Sequence, residues 1–242
     1  MKKTRSKSTK RLPVNADLMV PVEPLTPNQE RIFKAWDEGK HLFIYGCAGT
    51  GKTFCALYKA LYDSLKATPA YERVYLVRSL VATREIGFLP GDHEDKSSLY
   101  QIPYKNMVKY MFELGNDNDF EMLYGQLKAQ ESIKFWSTSF LRGVTLDNSV
   151  IIIDEMQNLN FHELDSIITR VGENTRIVFC GDAMQSDLTR TNEKNGIHDF
   201  MRILEMMPDD FAMIEMGLDD ICRSGLVRNY LLAKNGAGFT SL

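Results

Sequence analysis

The sequence has no apolar run near the roughly 20 residues that a membrane-spanning helix requires, and no apolar segment follows its basic start. Neither a membrane partner nor a secretory signal is therefore expected. Cysteine is scarce and scattered: Cys47, Cys55, Cys180 and Cys222 contain no C-x-x-C pair, which argues against a zinc site and against a disulfide framework. Each of the four reads as a small buried hydrophobe. Positive charge is thin outside one place. The formal net charge is −3, yet the first eleven residues carry six basic side chains (Lys2, Lys3, Arg5, Lys7, Lys10, Arg11) and no acid, leaving −9 elsewhere. An acidic bulk excludes tight non-specific binding of a duplex across the whole surface, because phosphate contacts need local positive potential. Nucleic acid, if bound, is expected in a channel or at the tail. The tail itself reads as a solvated arm or as a phosphate-binding one. A cytoplasmic location is the default expectation.

What is present is the composition of an ordinary globular protein, with 44% apolar and 25% charged residues in 242. That length suits one well-packed core and is marginal for two. Residues 1–24, with their basic cluster and three prolines, are expected to be a flexible tail, and residues 25–242 a single domain. Thr26 is placed to cap a helix that Pro27 begins, with Ile32, Phe33 and Trp36 on one face.

Beyond it, short apolar runs predict strands at 41–45, 73–77, 133–137, 149–153, 176–180 and 211–215. Helical patterns at 53–65, 161–171 and 196–206 fall between them. Continuous runs such as Val150-Ile151-Ile152-Ile153 suit strands covered on both faces, hence a parallel sheet flanked by helices. The expected fold is α/β, a doubly wound, mainly parallel sheet. The stretch from Gly87 to Gln130 is long for one crossover and is expected to insert helices outside the minimal core.

Three segments carry chemistry. Gly46-Cys47-Ala48-Gly49-Thr50-Gly51-Lys52-Thr53 fits G-x-x-x-x-G-K-[ST] in full, with a strand before it and a helix after it. Glycines there let backbone N–H groups wrap a phosphate at the positive end of a helix dipole. Lys52 offers a point charge to the β and γ phosphates, and Thr53 a hydroxyl to Mg²⁺. The run Val150–Ile153 ends in Asp154-Glu155. Asp154 is placed to hold Mg²⁺, and Glu155 to orient or deprotonate a water attacking the γ-phosphate. The strand at 176–180 leads into Gly181-Asp182-Ala183-Met184-Gln185, where Gln185 can bond both the attacking water and the γ-phosphate.

Together these three segments resemble the motifs of superfamily 1 helicases, and the chain is more closely similar to the PhoH family of RecA-like P-loop ATPases. The likeness rests on Asn28-Gln29, Gly46–Thr53, Gly87-Phe88-Leu89-Pro90-Gly91-Asp92 and Leu141-Arg142-Gly143. It continues in Asp154-Glu155-Met156-Gln157-Asn158, in Gly181-Asp182 with Gln185-Ser186-Asp187-Leu188, and in Asp219–Ser224 with Leu226-Val227. It covers about residues 25–235. One departure is Met156, where the family usually has alanine.

The resemblance implies a RecA-like fold, ATP and Mg²⁺ as ligands, ATP hydrolysis, a link to phosphate starvation and an RNA-related role with helicase activity. It gives no nuclease domain in a chain of this length. Gln29 matches a glutamine that reads the adenine edge, or is a satisfied surface glutamine. Arg142 and Arg223 match family arginines. Arg223 or Arg228 could stabilise γ-phosphate charge, or could pair with Asp219 and Asp220. Single-domain length, with the family likeness, implies a homo-oligomer, a hexamer first, with an arginine donated in trans. Arg78, Ser79, Thr83 and Arg84 lie where helicase-like proteins contact nucleic-acid backbone. Phe88, Tyr100 and Tyr104 could stack bases of a single strand, or could simply pack. Two other classes stand beside the ATPase: a nucleotide-operated switch without strand movement, and a small-metabolite kinase, which Glu155 and the G-D-x-x-Q pattern disfavour.

Overall fold

The computed structural model describes residues 14–78, 93–141, 143–182 and 191–237. Six strands, β1 (His41–Gly46), β2 (Arg73–Arg78), β3 (Ile133–Ser137), β4 (Ser149–Asp154), β5 (Arg176–Gly181) and β6 (Phe211–Met216), form one sheet in the order β3-β2-β4-β5-β1-β6. Every neighbouring pair is parallel. The helices are α1 (Pro27–Asp37), α2 (Lys52–Leu65), α3 (His93–Phe112), α4 (Asp117–Ala129), α5 (Phe161–Ile168), α6 (Thr191–Glu205) and α7 (Gly225–Gly236).

Alternation along the central strands β4 and β5 shows why their runs are continuously apolar. Val150 and Ile152 of β4 face a core shared with α1, α2, α3 and α4. Ile151 and Ile153 face the opposite core, which α5 and α6 complete. All four side chains are fully buried, as both faces of a parallel sheet require. The same split holds in β5, where Val178 and Cys180 face one way and Ile177 and Phe179 the other.

Five of the six strands run one residue further at their C-terminal ends than the apolar runs predict. The ladder extends to Gly46, Arg78, Asp154, Gly181 and Met216, with Arg78 opposite Asp154 and Gly46 opposite Met216. Residues expected just outside the sheet are therefore fixed by it. Helix α5 stops at Ile168 rather than at residue 171, because Val171 instead bridges Leu146. Helix α6 begins five residues early, at Thr191, and Gly196 lies inside it. A Cβ at Gly196 would meet the Phe161 backbone nitrogen at 2.7 Å, so the glycine that would have marked a helix start instead permits α5 and α6 to touch.

Two expectations are corrected. Residues 14–24 are not part of a flexible tail: Val14, Ala16 and Met19 are buried in the core, and the Val20 N–H donates to the Met111 carbonyl at 2.8 Å. Apolar side chains spaced between prolines hold this segment down as an extended strap. The inserted helices α3 and α4 do not lie outside the core. Val108, Met111, Phe112, Leu123 and Leu127 belong to the same buried cluster as α1 and α2, because each helix presents one apolar stripe that needs the sheet to cover it. Among the described residues no helix is long and apolar enough to cross a membrane.

Candidate nucleotide site

The loop after β1 and the residue after β4 emerge at the C-terminal edge of the sheet, on either side of β5. In an open α/β sheet that crevice is where ligands bind. It forms here a cleft of about 810 Å³, within the range of small-ligand sites.

The glycines of the loop are required by backbone geometry. Gly46 has φ +113°, and a Cβ there would collide with the Met216 carbonyl; Gly51 has φ +83° and faces Gln29. The loop is pinned from outside as well. The Cys47 N–H donates to the Met216 carbonyl at 2.8 Å, and the Cys222 N–H donates to the Gly49 carbonyl at 3.0 Å. Inside the loop, the Thr50 hydroxyl donates to the Cys47 carbonyl at 2.9 Å. Lys52 Nζ curls over the loop and donates to the carbonyls of Gly46 and Cys47, both at 2.7 Å. Burial lowers the Lys52 pKa from its ordinary value, with Cys180, Asp182, Cys47 and Asp154 working the other way. Burial of an ammonium whose printed hydrogen bonds go to neutral carbonyls suits it to an anionic ligand.

Lys52 and Thr53 open α2, while Asp154 closes β4, 101 residues later. The fold joins them: Thr53 Oγ1 donates to Asp154 Oδ1 at 2.7 Å. Asp154 is 9% exposed, and its other oxygen, Oδ2, accepts from the Tyr104 hydroxyl at 2.6 Å. A hydroxyl and a carboxylate side by side are the hard oxygen donors that Mg²⁺ prefers. Among the described residues no group of three or more His, Cys, Asp or Glu could hold a metal.

Glu155 leaves the strand in the left-handed conformation, φ 54° and ψ 43°, an uncommon backbone for a residue with a side chain. Its carboxylate accepts from Gln157 Nε2 at 2.5 Å and lies 3.9 Å from the Arg78 guanidinium. Gln157 Oε1 in turn accepts from the Asp182 N–H at 3.0 Å, so the ends of β4 and β5 are tied together behind Glu155. Sequence reasoning missed this role of Gln157; the residue stood in the quoted D-E-M-Q-N segment without a function.

Gln29 is buried, at 4% exposure, so it is not a surface glutamine. Its Nε2 donates to the Thr50 carbonyl and to Cys222 Sγ, each at 3.0 Å, and its Oε1 accepts from the Leu25 N–H at 2.8 Å. The amide thus fastens the phosphate loop to α1 and to the C-terminal segment. Asn28 does likewise through Asp220 Oδ2, at 2.8 Å. Burial works to raise the Asp220 pKa, but hydrogen bonds from Asn28, Thr26 and Gly217 outweigh it and hold the carboxyl below its ordinary value. Of the two carboxylates expected as partners for the arginines, Asp219 and Asp220, the second is thereby engaged elsewhere. Arg223 is exposed and lies along its own chain's loop, with Cγ 3.0 Å from where a Gly49 Cβ would stand.

Three further expectations are revised. The four cysteines are not all buried: Cys47 is half-buried and Cys222 exposed, and the fold gathers cysteines that are distant in sequence around one loop. Tyr104 does not offer a base-stacking face; at 3% exposure it packs on Phe135 and spends its hydroxyl on Asp154. Arg78 is the last residue of β2 rather than the first beyond it, and its guanidinium lies 3.9 Å from Glu155 and 5.9 Å from the centre of the Tyr100 ring. Gln185, Arg142, Ser79, Thr83, Arg84, Phe88 and the 87–92 segment lie outside the described residues.

The family model described as PhoH-like protein matches residues 21–234. A PhoH-like protein of Mycobacterium leprae (strain TN) is 33% identical over 207 residues, which span 85% of this chain and 56% of that protein. Protein PhoH of Escherichia coli (strain K12) is 31% identical over 209 residues, again 85% of this chain and 56% of the relative. The chain thus spans little more than half the length of these curated relatives. Among solved structures, the large terminase from a thermophilic bacteriophage has a TM-score of 0.49 at 9% identity, covering 88% of this chain and 50% of the terminase. Unliganded Pif1 from Bacteroides sp has a TM-score of 0.39 at 16% identity, covering 91% and 47%.

Proposed function

Because this chain belongs to the PhoH family, whose P-loop architecture it carries, we propose that it is an Mg²⁺-dependent ATPase that works as a homo-oligomer on single-stranded nucleic acid, RNA first. The observation that carries the reading is the 2.7 Å contact between Thr53 and Asp154. It joins the phosphate loop to the acidic strand end, with Glu155 the next residue.

In this reading Gly46 to Thr53 wrap the phosphates with backbone N–H groups. Lys52 exchanges its two loop carbonyls for β and γ phosphate oxygens. Thr53 and Asp154 would hold magnesium, which supplies charge neutralisation between those oxygens. Glu155 accepts a proton from water as the water oxygen bonds to the γ-phosphorus and the bond to the β-phosphate oxygen breaks, leaving ADP and phosphate. Gln157 and Arg78 hold the Glu155 carboxylate in place. Gln185, by the family likeness, senses the γ-phosphate. Arg223 completes the charge on that side, and its place beside its own Gly49 supports a role in cis rather than in trans. Gln29 sets the loop against α1 and, with one lone pair left, can still meet an adenine edge.

Steady-state ATP turnover with and without single-stranded RNA tests this directly. Glu155→Gln is expected to lower turnover about 10²- to 10⁴-fold, the usual worth of a general base, while nucleotide binding persists. RNA should raise the wild-type rate and not that of the variant. Wild-type protein that binds ATP but never turns it over would favour a nucleotide-operated switch instead.

A further inference from the structure

Helix α3 is inserted between β2 and β3, outside the three motif segments, yet it delivers a side chain to their centre. Tyr104 is 3% exposed, its ring packs 5.7 Å from that of Phe135, and its hydroxyl donates to Asp154 Oδ2 at 2.6 Å. The opposite oxygen, Oδ1, is the one that accepts from Thr53 at 2.7 Å. The two oxygens of Asp154 thus have separate tasks. One is anchored to the core through a phenol, and the other faces the phosphate loop.

A carboxylate on its own rotates freely about its last torsion, which is broad. One charge-assisted hydrogen bond from a rigid, packed phenol removes that freedom. Side chains that support a metal ligand in this way commonly alter metal affinity by about 10- to 100-fold. We infer that Tyr104 is a positioning residue for the divalent cation, holding Asp154 so that Oδ1 is presented to the ion without rearrangement. The inference rests on the nucleotide reading above and adds to it a determinant outside the phosphate loop and the acidic strand end. Helix α3 also packs in the main core through Val108 and Met111, so the element that carries Tyr104 is itself anchored there.

The test is titration of a fluorescent ATP analogue against wild type and Tyr104→Phe, first in EDTA and then at fixed nucleotide with rising Mg²⁺. Tyr104→Phe keeps the ring and loses only the hydroxyl. The affinity in EDTA is expected to stay within about twofold, and the Mg²⁺ concentration for half-effect to rise about tenfold. Tyr104→Met, which fills the space without a hydroxyl, should give the same shift, so a folding defect peculiar to one variant is set aside by the other. Unchanged Mg²⁺ dependence in a folded variant overturns the role of Tyr104 and leaves the nucleotide site standing. Wild-type protein that binds no analogue under either condition removes both.

Discussion

Glu155 and Asp154 are neighbours in sequence with opposite surroundings. Asp154 is the last ladder residue of β4, buried and bonded through both oxygens. Glu155 is turned out of the sheet by its left-handed backbone and is only half-buried. A fixed ligand and a carboxylate open to the cleft suit the two tasks assigned to them. The thiols are graded in the same way. Burial pushes the Cys55 thiol up to about 12 and holds that of Cys180, which is fully enclosed, well above its ordinary value. Cys47 is raised too, again by burial first and then by Asp182, while Cys222 is exposed. Since the thiolate is the reactive form, iodoacetamide should label Cys222 first and Cys47 more slowly, and should reach Cys55 and Cys180 only after unfolding. MgATP should slow labelling at Cys47 in the loop. Peptide mass spectrometry over a time course reads this order, and native labelling of Cys55 would contradict it.

At the scale of elements, β1 carries both the phosphate loop and a pH-sensitive start. His41 Nδ1 accepts from the Ile177 N–H of β5 at 3.2 Å, and its ring lies 5.1 Å from that of Phe211. Burial lowers the His41 pKa below its ordinary 6.5, helped by Arg176 and opposed by Asp210. The folded protein therefore resists a proton that the unfolded chain takes up. By linkage, this contribution to stability is intact above pH 6.5 and is lost as pH falls from there toward the lower folded-state value. His41→Gln keeps an acceptor and does not titrate, so its stability should fall less steeply over that window in urea unfolding at a series of pH values. The six strands themselves were legible as short apolar runs, and the continuous Val and Ile run of β4 leaves a doubly covered strand as the simplest reading. The insertion of α3 and α4 between β2 and β3 was legible too, but their burial in the main core was not. Periodicity marks an apolar stripe but does not say which surface covers it, and Pro103 within α3 gives no hint that the next residue reaches Asp154.

At the scale of the whole molecule, α7 carries a cluster of exposed apolar side chains. On α7, Leu226 is 84% exposed, Val227 51% and Tyr230 63%, while Leu231 lies 3.6 Å from where a Gly49 Cβ would stand. Apolar side chains clustered in the open beside a ligand site are a common mark of an association surface. On the proposed homo-oligomer, the paired change Leu226→Asp with Tyr230→Asp should shift the protein from oligomer to monomer. Nucleotide affinity should change little, since neither side chain is placed at the nucleotide. Sedimentation velocity with and without nucleotide checks it; a wild-type protein that is monomeric throughout would end the oligomer reading.

The sequence by itself determined the parallel α/β class, the strand positions, the phosphate loop and the acidic strand end, because each is encoded by neighbours along the chain. Only the tertiary structure decided what occupies the second oxygen of Asp154, what engages Gln29, where Arg223 lies and which cysteines reach solvent. The reason is physical: each of those depends on a partner dozens to nearly two hundred residues away, such as Gln29 and Cys222 at a separation of 193. No local pattern carries that distance, and only the order in which β4, β5 and β1 assemble brings such partners together.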